Sequence, residues 1–175
     1  MEAIVRQLLD FGRGRSTERR LASIAGIVQR AASSIAELAA ETDVTLELCL
    51  PEEETAEVVD IAGFEQAVSN LLRNAVQASP GGIVRATLVA DRGHLRLRVD
   101  DNGPGVPEDI RSRVCDPFFT TKPVGQGTGL GLALAHRVVR DMRGRLTIGT
   151  SALGGACFEI TIPRGGAPDT ATAPS

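Results

Sequence analysis

Residues 62–101 read AGFEQAVSNLLRNAVQASPGGIVRATLVADRGHLRLRVDD, and the change of period within this stretch decides the fold. Over 62–79, Phe64, Ala67, Val68, Leu71, Leu72, Ala75 and Val76 recur at the spacing of a helix with one buried face. Pro80-Gly81-Gly82 ends that helix, because proline has no N–H to continue it and glycine favours the turn. From 83 the apolar residues alternate instead, which predicts strands over 83–90 and 94–100. Asp91-Arg92-Gly93 between them reads as a hairpin turn.

On the C-terminal side, residues 102–127 are rich in Gly, Pro and Thr, with helical spacing only over 108–114. So long an irregular stretch inside a compact domain reads as a functional lid. A helix over 128–143 follows, closed by Gly144, then strands over 146–149 and 157–162. On the N-terminal side, Ile4, Val5, Leu8, Leu9 and Phe11 keep helical spacing until Gly12-Arg13-Gly14, a run too short to stand alone. A second helix is predicted over 21–40, a half-buried strand over 44–50, a glutamate-rich loop after Pro51, and a short strand at Val58-Val59. Residues 164–175, mostly Gly, Pro, Ala and Thr, read as a disordered tail.

The chain of 175 residues fits one domain. A formal net charge of −3 and only five aromatic residues, all Phe, leave little for gripping or stacking nucleic acid, so no nucleic-acid partner is expected. Cys49, Cys115 and Cys157 have no paired spacing for zinc or a redox couple, which points to a reducing compartment. No apolar run is long enough to span a bilayer, and Glu2 does not begin a signal region, so a cytoplasmic location is expected.

Four short motifs carry chemistry. Asn70 and Asn74 lie one turn apart on the 62–79 helix, where neutral amide oxygens suit a hard cation beside phosphates; a plain solvent face has the same spacing. Asp101-Asn102-Gly103-Pro104-Gly105-Val106 follows a strand, placing a carboxylate where it can accept from an exocyclic amine; a simple Asn-Gly turn is the alternative. Asp116-Pro117-Phe118-Phe119-Thr120-Thr121-Lys122 offers an apolar latch and an ammonium within reach of a terminal phosphate, or two core rings and an exposed lysine. Gly125-Gln126-Gly127-Thr128-Gly129-Leu130-Gly131-Leu132 runs into a helix, whose N-terminal N–H groups and partial positive charge form a phosphate cradle. It lacks the Gly-Lys-Ser/Thr ending of a P-loop and has no strand directly before it.

In this order, with Glu65-Gln66 ahead of Asn70-Leu71-Leu72-Arg73-Asn74-Ala75 and a closing Phe158-Glu159-Ile160-Thr161-Ile162-Pro163, the motifs resemble the N, G1, F and G2 boxes of the histidine-kinase catalytic domain. That domain belongs to the gyrase and chaperone ATPase superfamily, and the Pro-Phe-Phe-Thr-Thr-Lys spelling looks like the nitrogen-regulation and oxygen-sensing kinases. The resemblance covers about 44–163. It implies an α+β fold of the Bergerat type: a two-layer α/β sandwich, with a mixed sheet of about five strands packed on three helices. It implies Asn74 as the Mg²⁺ ligand with Asn70 as polar companion, Asp101 as the reader of the adenine amine, and Gly103, Gly105 and Val106 shaping that pocket. It implies Lys122, Gly127, Thr128, Gly129, Leu130 and Gly131 at the phosphates of ATP. It further implies that residues 1–22 are the end of a dimerisation helix and its linker, 23–163 the ATP-binding domain, and 164–175 the tail.

Position 70 separates the kinases from their relatives, for the hydrolases place a glutamate there to activate water, and Asn70 is no general base at neutral pH. Other departures are Gln77 where many members carry Lys or Arg, Ala156 where many carry Thr, and Arg143 where glycine is usual. Neither His94 nor His136 is followed by the acidic residue and proline of a phosphoacceptor. The expected activity is therefore Mg²⁺-dependent transfer of the γ-phosphoryl group of ATP to a histidine on a phosphoacceptor domain, with a response regulator as an indirect partner. A nucleotide-sensing module and an anti-sigma-type serine kinase are the alternatives.

Overall fold

The computed structural model describes residues 19–52, 55–123 and 127–164. The helix expected over 1–11, the tail past Arg164, two of the glutamates after Pro51, and Gly125-Gln126 of the glycine motif lie outside them.

In chain order the elements are β1 (Arg20–Ser23), α1 (Ile24–Ser33), α2 (Ala36–Glu41), β2 (Thr45–Cys49), β3 (Ala56–Val59), α3 (Ile61–Ala78), β4 (Ile83–Ala90) and β5 (His94–Asp101), then a 3₁₀ turn (Glu108–Ile110), α4 (Gly131–Asp141), β6 (Arg145–Thr150) and β7 (Ala156–Pro163). Five strands form one mixed sheet in the order β2-β4-β5-β7-β6, with β2 parallel to β4 and every other pair antiparallel. Alternation sorts its faces: Val84, Ala86 and Leu88 and, opposite them, Leu95, Leu97 and Val99 are buried against the helices, while Arg85, Arg96 and Arg98 point away. This is the two-layer α+β sandwich that the resemblance implies.

α3 is the central helix, touching α1, α4, β4 and β5. Asp60 starts it by accepting from the N–H of Gly63 at 3.0 Å. Its buried face includes Phe64, Val68, Leu71 and Leu72, each no more than 1% exposed, so truncating one of the leucines to alanine costs about 2–5 kcal/mol.

The predicted helix over 21–40 is corrected in two places. Residues 20–23 form β1, paired antiparallel with β3, because the backbone N–H groups of Ile24 and Ala25 are tied to Thr55, by its carbonyl and its Oγ1, both at 3.0 Å. Ser23 then caps α1, accepting from Gly26. The helix breaks again after Ser33, where the hydroxyls of Ser33 and Ser34 donate back to the carbonyls of Gln29 and Ala31 and compete with the helical pattern. The Val58-Val59 strand accordingly belongs to the small β1–β3 pair and not to the main sheet. Residues 20–22, read as linker, are part of that pair, and Arg164, read as tail, is anchored through its N–H to the Gly93 carbonyl and its Nε to Glu57.

α4 begins at Gly131 and not at Thr128, since Gly129 has φ +65° and Thr128 Oγ1 accepts from the N–H of Leu130. At the other end the left-handed residue is Arg143, φ +58°. Gly144 serves packing instead: a Cβ there would lie 2.6 Å from the Thr161 carbonyl. Helical spacing over 108–114 yields only the 3₁₀ turn followed by turns.

Candidate functional site

The carboxyl end of β5, the C-terminal half of α3, the irregular segment from Pro104 and the N-terminus of α4 enclose a cleft of about 560 Å³. Of the residues singled out in the sequence, Asn70, Asn74, Asp101, Gly105, Val106, Lys122, Gly127, Thr128, Gly129 and Gly131 line it. Gly103 and Leu130 do not. Leu130 is 1% exposed, and a Cβ on Gly103 would sit 2.6 Å from the carbonyl of Ala78, so this glycine lets the loop lie against α3.

At one end Asp101 is 1% exposed. Its Oδ1 accepts from the backbone N–H groups of Gly103 at 2.9 Å and Ala156 at 3.0 Å. Burial raises its pKa above the ordinary carboxylate value, and those two backbone bonds pull it back only in part. Around it the wall is apolar: Val106, Ile110, Val114, Phe119, Leu132, Ala156 and Phe158. A flat apolar slot with one buried acceptor at its floor suits an aromatic base that presents an amine. Gly155, missed in the sequence, makes this possible. Its N–H donates to the Asp101 carbonyl at 3.0 Å, and a Cβ on it would stand 2.6 Å from that carbonyl and from the Gly103 nitrogen. Its only signal was the Gly154-Gly155 pair ahead of the last strand.

The opposite end is polar. Asn74 is half-buried, and its Oδ1 lies 3.4 Å from the Nζ of Lys122, which also donates to Gln77 Oε1. The pKa of Lys122 is lowered, first by burial and then by Arg73, a cation on the same wall. Asp101 is the only carboxylate among the lining residues, and it belongs to the apolar end. Two cations that repel each other, with no acid among the described residues that line their end, make a place for a polyanion. Arg73 was legible only as the residue between the two asparagines.

Asn70 lines the cleft and also ties two helices together. It is 5% exposed; its Nδ2 donates to the Gly131 carbonyl at 3.1 Å and its Oδ1 accepts from Gln66 at 3.2 Å, which fastens α3 to the start of α4. The two phenylalanines also part company. Phe119 lines the cleft with the Arg113 guanidinium 4.9 Å from its ring centre, whereas Phe118 is 63% exposed. Phe118 has φ +68°, its N–H donates to the Gly129 carbonyl, and a Cβ on Gly129 would fall 2.6 Å from its Cα. Neither His94 nor His136 lines the cleft. No group of three or more His, Cys, Asp or Glu able to hold a metal occurs among the described residues. No helix among them is long and apolar enough to cross a membrane.

Comparison with known proteins agrees with this geometry. Residues 59–166 match the family described as histidine kinase-, DNA gyrase B- and HSP90-like ATPase. Over 178 aligned residues the chain is 30% identical to the sensor kinase CckA of Brucella abortus, covering 93% of this chain and 19% of that protein. Among solved structures, the mycobacterial sensor histidine kinase MprB superimposes with a TM-score of 0.74 at 29% identity, covering 83% of this chain and 97% of that one. Full-length ShkA in complex with AMPPNP gives 0.82 at 26% identity, covering 95% and 36%. The chain thus spans less than a fifth of the curated relative CckA. It belongs to the histidine kinase-, DNA gyrase B- and HSP90-like ATPase family.

Proposed function

We propose that this domain binds Mg-ATP in the cleft and transfers the γ-phosphoryl group to a histidine nitrogen of a phosphoacceptor domain in two-component signalling. The observation that carries this reading is the division of the cleft: one buried carboxylate in an apolar slot, and two uncompensated cations at the far end. Asp101 accepts from the exocyclic amine of adenine. The open N–H groups at the start of α4, with Arg73 and Lys122, hold the phosphates. Asn74 Oδ1, which here faces an ammonium, is an oxygen fit for a hard cation, and Mg²⁺ bound there supplies charge neutralisation.

Transfer is favoured over hydrolysis because no lining carboxylate stands at the phosphate end to activate water, and Asn70 is committed to α4. In the step itself the bond from the γ-phosphorus to the β–γ bridging oxygen breaks, a phosphorus–nitrogen bond forms, and ADP leaves. The chain contributes position and charge rather than covalent chemistry. A response regulator would receive the group next.

The test is γ-labelled ATP with the chain alone, then with a histidine phosphoacceptor domain from a related sensor kinase. Acid-labile, alkali-stable label on that partner is expected, with none on the chain alone. Acid-stable label on the partner would indicate serine transfer, and stable labelling of His94 or His136 would contradict the proposal.

A further inference from the structure

We propose that Gln77 positions Lys122 and that residues 77 and 122 share one cation across the cleft. The inference rests on the reading of the cleft as a Mg-ATP site. Lys122 stands on the irregular segment, 45 residues from Gln77, yet its Nζ donates to Gln77 Oε1 and lies 3.4 Å from Asn74 Oδ1. Gln77 and Asn74 sit three apart on α3, so both amide oxygens face the same side of the helix. The base of the lysine is fixed too, because its backbone N–H donates to Thr120 Oγ1 at 3.1 Å.

The partners are all neutral. Two amide dipoles locate the ammonium without cancelling its charge, and a hydroxyl holds the backbone behind it, so it is held in place and still available to an anion. A carboxylate at 77 would neutralise it, and a lysine at 77 would repel it. The same geometry sets up an exchange at Asn74. Its Oδ1 faces Lys122 and is also the oxygen assigned to Mg²⁺, whereas the Gln77 contact does not use that oxygen. Gln77 is therefore a positioning residue, and its effect on nucleotide must run through Lys122.

A double-mutant cycle tests this, with Mg-ATP affinity measured calorimetrically and folding checked by circular dichroism. Loss of a charge-assisted contact in Lys122→Gln should weaken binding about tenfold. Gln77→Leu changes no charge, yet it should weaken binding roughly threefold by releasing the lysine. In a Gln77→Lys background, Lys122→Gln should cost less than about twofold, because α3 now carries the cation. The same factor for Lys122→Gln in both backgrounds would overturn the inference, as would wild-type affinity in Gln77→Leu. A folded wild-type chain that takes up no Mg-ATP would instead sink the reading of the cleft, and this inference with it.

Discussion

The two ends of the cleft are built differently. At the Asp101 end the carboxylate is held by backbone: Gly103 and Ala156 donate to it, and Gly155 holds the strand carrying it. At the Lys122 end the ammonium is held by side chains, Gln77 and Asn74, around glycines that carry no side chain to lock. Backbone contacts come with the sheet and exist before any ligand does. Side-chain contacts can be exchanged one at a time, as a site that takes in a metal and releases a product requires. The base end is thus pre-organised and the phosphate end adjustable.

The sharpest way to break the contrast is to disturb the rigid end. Gly155→Ala puts a methyl group 2.2 Å from Asp101 Oδ1 and 2.6 Å from two backbone atoms, the Asp101 carbonyl oxygen and the Gly103 nitrogen, which cannot swing aside. It should cost about 2–3 kcal/mol by denaturant unfolding and abolish ATP binding. At the adjustable end, Asn74→Ala should leave stability within about 1 kcal/mol, because Asn74 is half-buried and its side-chain contact among the described residues is a long one to Lys122. Its ATP affinity should fall by about tenfold or more when Mg²⁺ is present and change little in EDTA. An equal loss in both would remove Asn74 from the metal.

Proton linkage sharpens the comparison further. Burial and Arg73 lower the pKa of Lys122, so its ammonium discharges as pH rises toward that lowered value. ATP affinity should therefore decline on the alkaline side at lower pH than an ordinary lysine would dictate, and Lys122→Arg should flatten the decline. The smallest effect lies outside both ends. Arg143 occupies a left-handed position at the end of α4, and Arg143→Gly should raise stability by about 1 kcal/mol with ATP binding unchanged.

What the sequence made legible follows from this division. α3, the β4–β5 hairpin and the last strand are strongly periodic, and a period needs no partner to be read. The strand at Arg20–Ser23 escaped because Thr55, distant in sequence, decides the backbone pairing there. The break after Ser33 escaped because the hydroxyls of Ser33 and Ser34 interrupt a helix whose apolar period runs on without a gap. Motif residues reached the cleft when their role is local to a turn or helix face, as for Asp101 and Asn74. Asn70 lines the cleft as well, but its tie to the Gly131 carbonyl, 61 residues away, could not be read from spacing. The Gln77–Lys122 contact was illegible for the same reason, since spacing carries no record of which side chains meet across a cleft.

Asp101 offers the most direct test of the whole reading, because its Oδ1 is already occupied and only the remaining oxygen can meet a base. Guanine presents a carbonyl where adenine presents an amine, and two acceptors facing each other in a buried slot cost about 1–3 kcal/mol. Calorimetry with ATP and GTP should therefore show ATP bound roughly tenfold more tightly by the wild type. Asp101→Asn can keep its oxygen on Gly103 and Ala156 while turning its amide nitrogen toward the base, and it should lose or reverse that preference. Equal binding of ATP and GTP by the wild type, or an unchanged preference in Asp101→Asn, would contradict the account.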